Sequence, residues 1–285
     1  MRLVDCLPTR LKCVSKYLDK LQQLRLVADC PVKLRIDGAN YYLSSCGLQK
    51  SPLGAICVTS CEISEFVKTA CQNSIYAFEK QIANGYLTLD DGTRIGVAGK
   101  GCMASNGDMC FSGYTSVCIR VNRCVAGCSS GVGENLLNSS ILIVGMPGYG
   151  KTTFLRDLVV RASANFDVVV LDERGEITLA NGFVNKSFCD VLLWLDRSSS
   201  APVAVKSLSP EIMACDEVTD KDTCWLGNAL QSGVKVYATL HASSFSSAKC
   251  FCDKNALDFD NYVILERFGG KMAKLYKKTG EYIIL

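Results

Sequence analysis

The segment "ILIVGMPGYGKTTFLRDLVVR", residues 141–161, restricts the possible folds more than any other part of the chain. It opens with four apolar residues typical of a short buried strand, and residues 154–160 continue as a helix. Between them, four residues match the pattern G-x-x-x-x-G-K-[ST]: Gly145, Gly150, Lys151 and Thr152. Glycines let backbone N–H groups turn around phosphate oxygens, and the helix N-terminus adds partial positive charge. With a strand before it and a helix after it, the motif predicts a phosphate-binding P-loop rather than a chance glycine-rich turn.

A P-loop needs carboxylates to hold Mg²⁺ and to orient the attacking water. Lys151 is expected to reach the β- and γ-phosphates, and the hydroxyl of Thr152 is a predicted Mg²⁺ ligand. In "SPEIMACDEV", the apolar residues 212–215 lead into Asp216 and Glu217. We predict that Asp216 binds Mg²⁺ through water and that Glu217 polarises the nucleophilic water. The alternative is an acidic pair of the kind found at many strand ends.

A second acidic cluster follows another apolar strand. The segment "VVVLDERGEI", residues 168–177, runs into Asp172, Glu173 and Arg174. Strands of a parallel sheet end on the same side, so this cluster is predicted to face the γ-phosphate as well. Glu173 is the best catalytic candidate in it. A solvated loop that forms salt bridges within itself is the alternative.

His241 is the single histidine of the chain, and it follows the apolar strand "VKVYATL", residues 234–240. We expect this strand to lie beside the one that ends in Asp216 and Glu217. Imidazole can contact the γ-phosphate or its water and change partners after hydrolysis, so His241 is predicted to sense the nucleotide state. A satisfied core histidine is the alternative. The helix before this strand has one apolar face, formed by Trp225, Leu226, Ala229 and Leu230.

The composition changes near residue 130. Residues 127–140 are rich in Gly, Ser and Asn, and beyond them apolar strands alternate with helical patterns. That alternation predicts a mostly parallel sheet with crossover helices. The fold class is therefore α/β, with a smaller N-terminal α+β domain over residues 1–130 and a P-loop domain over residues 131–285.

The first half predicts helices and antiparallel strands. Its expected elements are a helix with the apolar face Leu11, Val14, Leu18, Leu21 and Leu24, a hairpin over 32–43, a helix capped by Thr59 and Glu62 and ending near Gly85, a hairpin over 86–99, and a strand over 116–123.

Composition excludes several protein classes. The chain is 48% hydrophobic, which suffices for a core, and its formal net charge of +3 is too small to indicate nucleic-acid binding by itself. It has neither an apolar leader nor 18 consecutive apolar residues, so a cytoplasmic protein attached to membranes through partners is expected. The 17 cysteines form no C-x-x-C pair and are predicted to be reduced, small buried hydrophobes.

Four segments occur in the order found in type II/IV secretion ATPases: "GMPGYGKTT", "VVLDERGEI", "SLSPEIMACDEV" and "ATLHASS". More closely, the chain resembles the stage III sporulation protein AA family, which "GYLTLDDGTRIGVAGK" and "CIRVNR" in the first half also match. The likeness covers most of the chain from about residue 85 onward. Lys206 departs from this family, which often has arginine there, and lysine cannot make a planar bidentate contact. "TLHASS" is more similar to the pilus-retraction ATPases.

The resemblance implies a RecA-like ATPase domain, with ATP and Mg as cofactors, in a ring that is usually a homo-hexamer. No guanine-reading N/T-K-x-D segment is seen. The resemblance further implies a soluble protein that docks on membrane proteins of a sporulation channel between mother cell and forespore. The nucleotide-binding residues expected are Gly145, Pro147, Gly148, Gly150, Lys151, Thr152 and Thr153. Lys151, Glu173, Glu217 and His241 are the expected catalytic set.

Three questions stay open at this stage. Rings of this type complete each site with a neighbour's arginine, and the candidates are Arg94, Arg120, Arg123 and Arg174. A nucleic-acid-linked NTPase is the alternative function, with its basic cluster at Lys254, Lys271, Lys274, Lys277 and Lys278. Aromatic stacking residues are sparse there, so nucleic acid is not the expected partner. An ATP-binding scaffold without much turnover is the third reading, and the intact Lys151, Asp216 and Glu217 count against it.

Overall fold

The computed structural model describes residues 2–74, 78, 82, 85–103, 109–122, 125–179, 183, 187–268 and 270–285. The chain divides into two compact units, Met1–Asn122 and Arg123–Leu285. The boundary predicted near residue 130 therefore lies inside the second unit. The reason is that Asp157 accepts hydrogen bonds from the backbone N–H groups of Gly127 (2.8 Å) and Ser129 (2.7 Å), which attach the segment to the P-loop helix. The division into domains 1–130 and 131–285 stays a prediction.

Among the described residues, the first unit contains one sheet of seven antiparallel strands, in the order β4-β3-β2-β1-β7-β6-β5. Its strands are β1 (Leu21–Val27), β2 (Lys33–Ile36), β3 (Ala39–Ser44), β4 (Gly47–Gln49), β5 (Tyr86–Thr88), β6 (Arg94–Met103) and β7 (Met109–Arg120). Its helices are α1 (Leu3–Cys6), a 3-10 helix (Thr9–Tyr17) and α2 (Ser60–Ala70). The two predicted hairpins are β2–β3 and β5–β6. The predicted strand over 116–123 corresponds to the end of β7.

The first helix prediction in this unit is wrong. Leu11 and Val14 lie in the 3-10 helix, whereas Leu21 and Leu24 belong to β1. A register shift between Leu21 and Gln23 allows both leucines to be fully buried at a spacing of three residues, which imitates a helical period.

The second helix has the predicted capping box but a different end. The hydroxyl of Thr59 accepts from Glu62 N, and Glu62 accepts from Thr59 N. The helix ends at Ala70 because Gln72 (φ +53°) and Asn73 (φ +61°) adopt left-handed conformations. Most of the predicted extension toward Gly85 lies outside the described residues.

The second unit contains a sheet of eight described strands in the order β10-β9-β11-β12-β8-β13-β14-β15. Its strands are β8 (Ile141–Val144), β9 (Val168–Asp172), β10 (Cys189–Leu193), β11 (Ile212–Cys215), β12 (Lys235–Leu240), β13 (Asn261–Phe268), β14 (Gly270–Lys277) and β15 (Tyr282–Ile284). The six strands from β10 to β13 in this order pair in parallel, and β14 and β15 pair antiparallel. The predicted mostly parallel sheet is confirmed.

Helices cover both faces of this sheet. They are α3 (Lys151–Ala162), α4 (Arg197–Leu208), α5 (Thr223–Gln231) and α6 (Phe245–Lys254), with short 3-10 helices at Glu134–Leu136 and Asp220–Asp222. Alternate residues of each central strand enter two separate buried clusters. In β8, for example, Leu142 packs in the cluster that contains residues of α4, α5 and α6, and Ile143 packs in the cluster that contains residues of α3. Burial on both faces explains why these strands are continuous apolar runs.

The cysteines differ from their predicted burial. Fifteen cysteines whose side chains the structure describes are free, but of these only Cys6, Cys71, Cys215 and Cys252 are buried. Six are exposed: Cys30, Cys46, Cys57, Cys61, Cys224 and Cys250. Across the described part of the chain, no helix is long and apolar enough to cross a membrane.

Candidate active site

The P-loop lies between β8 and α3, as the motif predicts. Gly148 (φ +79°) and Gly150 (φ +91°) adopt left-handed backbone conformations that favour glycine. Gly150 is the N-cap of α3, so the first free N–H groups of this helix face the loop. Gly145 is buried, and a Cβ atom there would lie 3.2 Å from the carbonyl oxygen of Leu265. The loop thus has the backbone geometry that surrounds a phosphate.

Lys151 is the buried cation of this loop. Its Nζ donates to the carbonyl oxygens of Gly145 (2.8 Å) and Met146 (3.3 Å). Burial lowers the pKa of Lys151, although the nearby charges of Asp216 and Glu217 act in the opposite direction. The next residues, Thr152 and Thr153, are half-buried in the first turn of α3, whereas Pro147 is exposed within the loop.

Asp216 follows β11 and lies between two hydroxyl groups. Thr152 Oγ1 donates to its Oδ2 at 2.6 Å, and Thr239 Oγ1 donates to its Oδ1. Thr239 belongs to β12, which pairs in parallel with β11 as predicted. The carboxylate is therefore held beside the P-loop hydroxyl, where the sequence prediction places a metal site.

Glu217 has a strained backbone and a well-bonded side chain. Its φ of +48° is left-handed, which costs a non-glycine residue roughly 1–2 kcal/mol. Its Oε1 lies 2.8 Å from His241 Nε2, and its Oε2 accepts from Arg174 Nη1 at 3.0 Å. Burial raises the pKa of Glu217, but the hydrogen bond from His241 and the positive charges of Arg174 and Lys151 outweigh it, so the pKa lies below its ordinary value. This carboxylate stays ionised near neutral pH.

His241 connects Glu217 to the P-loop lysine. Its Nδ1 lies 3.0 Å from Lys151 Nζ. A neutral imidazole that accepts from the ammonium at Nδ1 must carry its proton on Nε2, from which it donates to Glu217. The side chain is 42% exposed, so the alternative of a core histidine is wrong. Lys151, His241, Glu217 and Arg174 form a continuous polar chain.

The loop after β9 is organised by Asp172. This buried carboxylate accepts hydrogen bonds from the backbone of Glu176 (2.9 Å), Ile177 (3.0 Å) and Thr178 (2.8 Å). The turn also requires Gly175, at φ +67°, because a Cβ atom there would lie 2.6 Å from the side chain of Leu179. Glu173 and Arg174 consequently project from the loop as exposed side chains.

Glu173 does not meet the P-loop lysine directly. Its Oε2 lies 3.4 Å from Nε of Arg197, the first residue of α4, and a shallow pocket there is lined by Glu173, Arg197, Asp216 and Glu217. Arg197 donates to the carbonyl oxygen of Asp216. The alternative of a loop that forms salt bridges within itself is wrong, because Glu173 pairs with Arg197 and Arg174 pairs with Glu217.

The oxygen atoms beside the P-loop suit magnesium. A threonine hydroxyl and a carboxylate are hard ligands, and Mg²⁺ is usually held by one or two protein oxygens together with phosphates and water. No cluster of three or more His, Cys, Asp or Glu side chains within the described ranges could hold a metal by itself. Thr152 and Asp216 therefore fit a Mg²⁺ that arrives with phosphate.

Sequence reasoning missed two residues of this site. Thr239 is a polar residue inside an apolar strand, and that signal was available in "VYATLH". Arg197 follows Asp196, whose side chain caps α4 by accepting from Ser198 and Ser199 N–H groups. The capping position was visible in the sequence, but the direction of the guanidinium was not. Of the proposed trans arginines, Arg174 pairs with Glu217 of its own chain, and Arg123 lies outside the described residues.

Comparison with known proteins identifies the family to which this chain belongs. The family model of sporulation stage III, protein AA, matches residues 5–283. This chain belongs to the sporulation stage III protein AA family. A curated relative in this family, the stage III sporulation protein AA of Bacillus subtilis, is 29% identical over 287 residues, which cover 93% of this chain and 89% of the relative. The match includes the first unit as well as the P-loop unit, beyond the range from residue 85 that the sequence motifs indicated.

Two solved structures share the mixed α/β fold of this family member. The Legionella pneumophila ATPase DotB superposes with a TM-score of 0.60 at 11% identity, covering 97% of this chain and 78% of DotB. The pilus retraction motor PilT with bound ADP superposes with a TM-score of 0.58 at 13% identity, covering 96% of this chain and 82% of PilT. The predicted relationship to secretion ATPases is confirmed at the level of the fold.

Proposed function

We propose that this chain is a magnesium-dependent ATPase with a RecA-like P-loop domain, which drives a secretion-like channel between mother cell and forespore. The observation that carries the proposal is the meeting of four strand ends at one edge of the parallel sheet. The P-loop follows β8, and β9, β11 and β12 bring the acidic loop, Asp216 with Glu217, and His241 to the same edge. Ligands of α/β sheets bind at this edge.

Each side chain has a role that its position supports. Glu217 is the group that polarises the attacking water, since it is ionised and anchored on both oxygens. Lys151 stabilises charge on the β- and γ-phosphates, with the P-loop glycines and Thr153 as backbone contacts. Thr152 and Asp216 hold Mg²⁺, which, when bound, neutralises phosphate charge. His241 contacts both Lys151 and Glu217, so it is suited to report whether the γ-phosphate is present.

Glu173 contributes indirectly in this proposal. Its carboxylate forms an ion pair with Arg197, and Arg197 donates a hydrogen bond to the backbone carbonyl oxygen of Asp216. We assign Glu173 to the same catalytic cluster, as a residue that orients Arg197. In a ring the glutamate would also be able to accept a neighbour's cation, because its side chain is 42% exposed.

The assembly proposed is a homo-hexameric ring that works at a membrane through partner proteins. Support comes from the family and from the fold shared with a pilus retraction motor. A neighbour's arginine would complete each site. Arg94 and Arg120 lie on adjacent strands of the first unit and stay candidates for that role.

The basic C-terminal cluster gives no support to nucleic-acid binding. Lys274 lies 3.0 Å from Glu266, and Lys278 is paired with Asp258. Lys254 and Lys277 lie 4.0 Å from Asp220 and Glu281, respectively. The side chain of Lys271 lies outside the described residues. Four of the five lysines therefore have an acidic neighbour. A surface that binds the phosphate backbone of nucleic acid needs a row of lysines or arginines without such neighbours.

The first test is steady-state ATP hydrolysis by the purified chain with Mg²⁺. We expect Lys151→Ala to abolish ATP binding and turnover, and Glu217→Gln to lower kcat by at least about a hundredfold while ATP still binds. Lys254→Ala, which removes a lysine exposed at 72%, is the matched control and should keep wild-type kinetics. Turnover that survives both site variants would refute the proposed chemistry.

A further inference from the structure

Thr239 occupies an unusual place for a polar residue. It lies in the central strand β12, two residues before His241, and is fully buried. Its hydroxyl donates to Asp216 Oδ1 and accepts from the backbone N–H of Glu217 at 2.9 Å. The backbone of the same residue adds a third contact, because its carbonyl oxygen accepts from Val218 N at 2.8 Å. A single threonine thus bonds to three successive residues, 216–218.

These contacts act where the chain is strained. Glu217 has a φ of +48°, a conformation that persists only when its surroundings impose it. Thr239 holds the N–H side of this residue, and the guanidinium of Arg197 lies against the carbonyl side. The side-chain contacts from His241 and Arg174 do not fix the backbone.

The hydroxyl also selects the direction in which Asp216 points. A carboxylate bonded through Oδ1 to Thr239 presents Oδ2 to Thr152, at 2.6 Å. Oδ1 also accepts from the backbone N–H of Glu217 at 3.1 Å, so without Thr239 Oγ1 this oxygen keeps that longer contact from the adjacent residue and loses its hydroxyl donor. One hydroxyl therefore aligns the proposed metal ligand and the proposed water-polarising residue together.

We infer that Thr239 is a positioning residue that sets the orientation of both Asp216 and Glu217 for catalysis. The inference rests on the proposed function of these two carboxylates. It gives two different roles in the same site to β12 and to the residue that directly follows this strand. Thr239 holds the backbone of Glu217, and His241 holds its side chain, so a shift of this one strand would move both.

Two substitutions separate the hydroxyl from the shape of the residue. Thr239→Val removes Oγ1 and keeps the volume, and Thr239→Ser keeps Oγ1. Tyr237→Phe is the matched control, because it removes another buried hydroxyl from the same strand, one that donates to the carbonyl oxygen of Leu137 away from the P-loop. Thermal unfolding measures the structural cost of each change.

The readouts are kcat, and the affinity for ATP with and without Mg²⁺. We expect Thr239→Val to lower kcat at least about tenfold and to reduce the gain in ATP affinity that Mg²⁺ provides, while affinity without Mg²⁺ is unchanged. Thr239→Ser should retain most of the wild-type kcat and most of the gain in ATP affinity that Mg²⁺ provides. Tyr237→Phe should keep both at wild-type values, even if its melting temperature falls further than that of the valine variant.

Two results would overturn the inference. One is a folded Thr239→Val protein in which kcat and the gain in ATP affinity provided by Mg²⁺ both equal the wild-type values. The other is a result in which Tyr237→Phe also lowers kcat and the Mg²⁺-dependent gain in ATP affinity, with both variants losing activity in proportion to their loss of thermal stability. If the wild-type chain binds Mg-ATP without hydrolysing it, the proposed function fails. The role of Thr239 is then decided by whether Thr239→Val reduces the gain in ATP affinity that Mg²⁺ provides.

Discussion

At the scale of single residues, the site depends on how one glutamate is held. Glu217 receives contacts from β12, from the loop after β9 and from α4, and together they keep a strained and charged residue in one orientation. Such preorganisation is a common source of catalytic power, because no group needs to reorient during the reaction. His241 is the contact that links this glutamate to the P-loop.

Replacement of His241 tests that link. We expect His241→Ala to lower kcat about tenfold or more and to leave the affinity for ATP nearly unchanged, because the imidazole orients Glu217 and does not form the phosphate cradle. His241→Gln, which retains polar groups near Glu217, should lose less. The measurement is a pair of kcat and ATP dissociation constants for each variant. An unchanged kcat in the alanine variant would show that the contact is incidental.

At the scale of elements, the sequence predicted what local and periodic patterns can encode. The strands over 141–144 and 212–215 and the pairing of β11 with β12 were predicted from apolar runs and from the P-loop motif. β1 could not be predicted, since its bulge places Leu21 and Leu24 at a helix-like spacing and its pairing with β7 joins residues far apart in the chain. The position of Arg197 in the site could not be predicted for a similar reason, because the residues that it contacts belong to other elements.

The start of α2 provides a pH test at this scale. Hydrogen bonds from Arg10 and from the backbone and hydroxyl of Thr59 lower the pKa of Glu62 to about 2. A depressed pKa stabilises the fold above the ordinary pKa of glutamate, about 4.3, and this contribution is lost as the pH falls through the folded value. Glu62→Gln should therefore cost about 1 kcal/mol at pH 7, as for other caps.

The same substitution should matter less in acid. The difference in unfolding free energy between Glu62→Gln and wild type is expected to fall to under about half by pH 3. Urea unfolding at pH 7, 5, 4 and 3 measures it, with Glu65→Gln, on the same helix, as the control. A difference that stays constant across this range would mean that the charge of Glu62 contributes nothing.

At the scale of the whole molecule, the proposed motor requires assembly. We expect Glu217→Gln, which should bind ATP without hydrolysing it, to shift to a ring-sized mass when Mg-ATP is added. Light scattering after size exclusion measures this mass, with Lys151→Ala as the variant that should stay unassembled. A monomer of Glu217→Gln with saturating Mg-ATP would show that this chain alone does not form the ring.

The six exposed thiols have a practical consequence for any such measurement. Air oxidation would join neighbouring molecules through Cys30, Cys46, Cys57, Cys61, Cys224 or Cys250, and covalent aggregates of this kind also increase the apparent mass. Assembly driven by nucleotide is reversible and insensitive to reductant, whereas disulfide-linked molecules separate when dithiothreitol is added. The same thiols, which need no engineering, offer attachment points for maleimide dyes that report on subunit exchange.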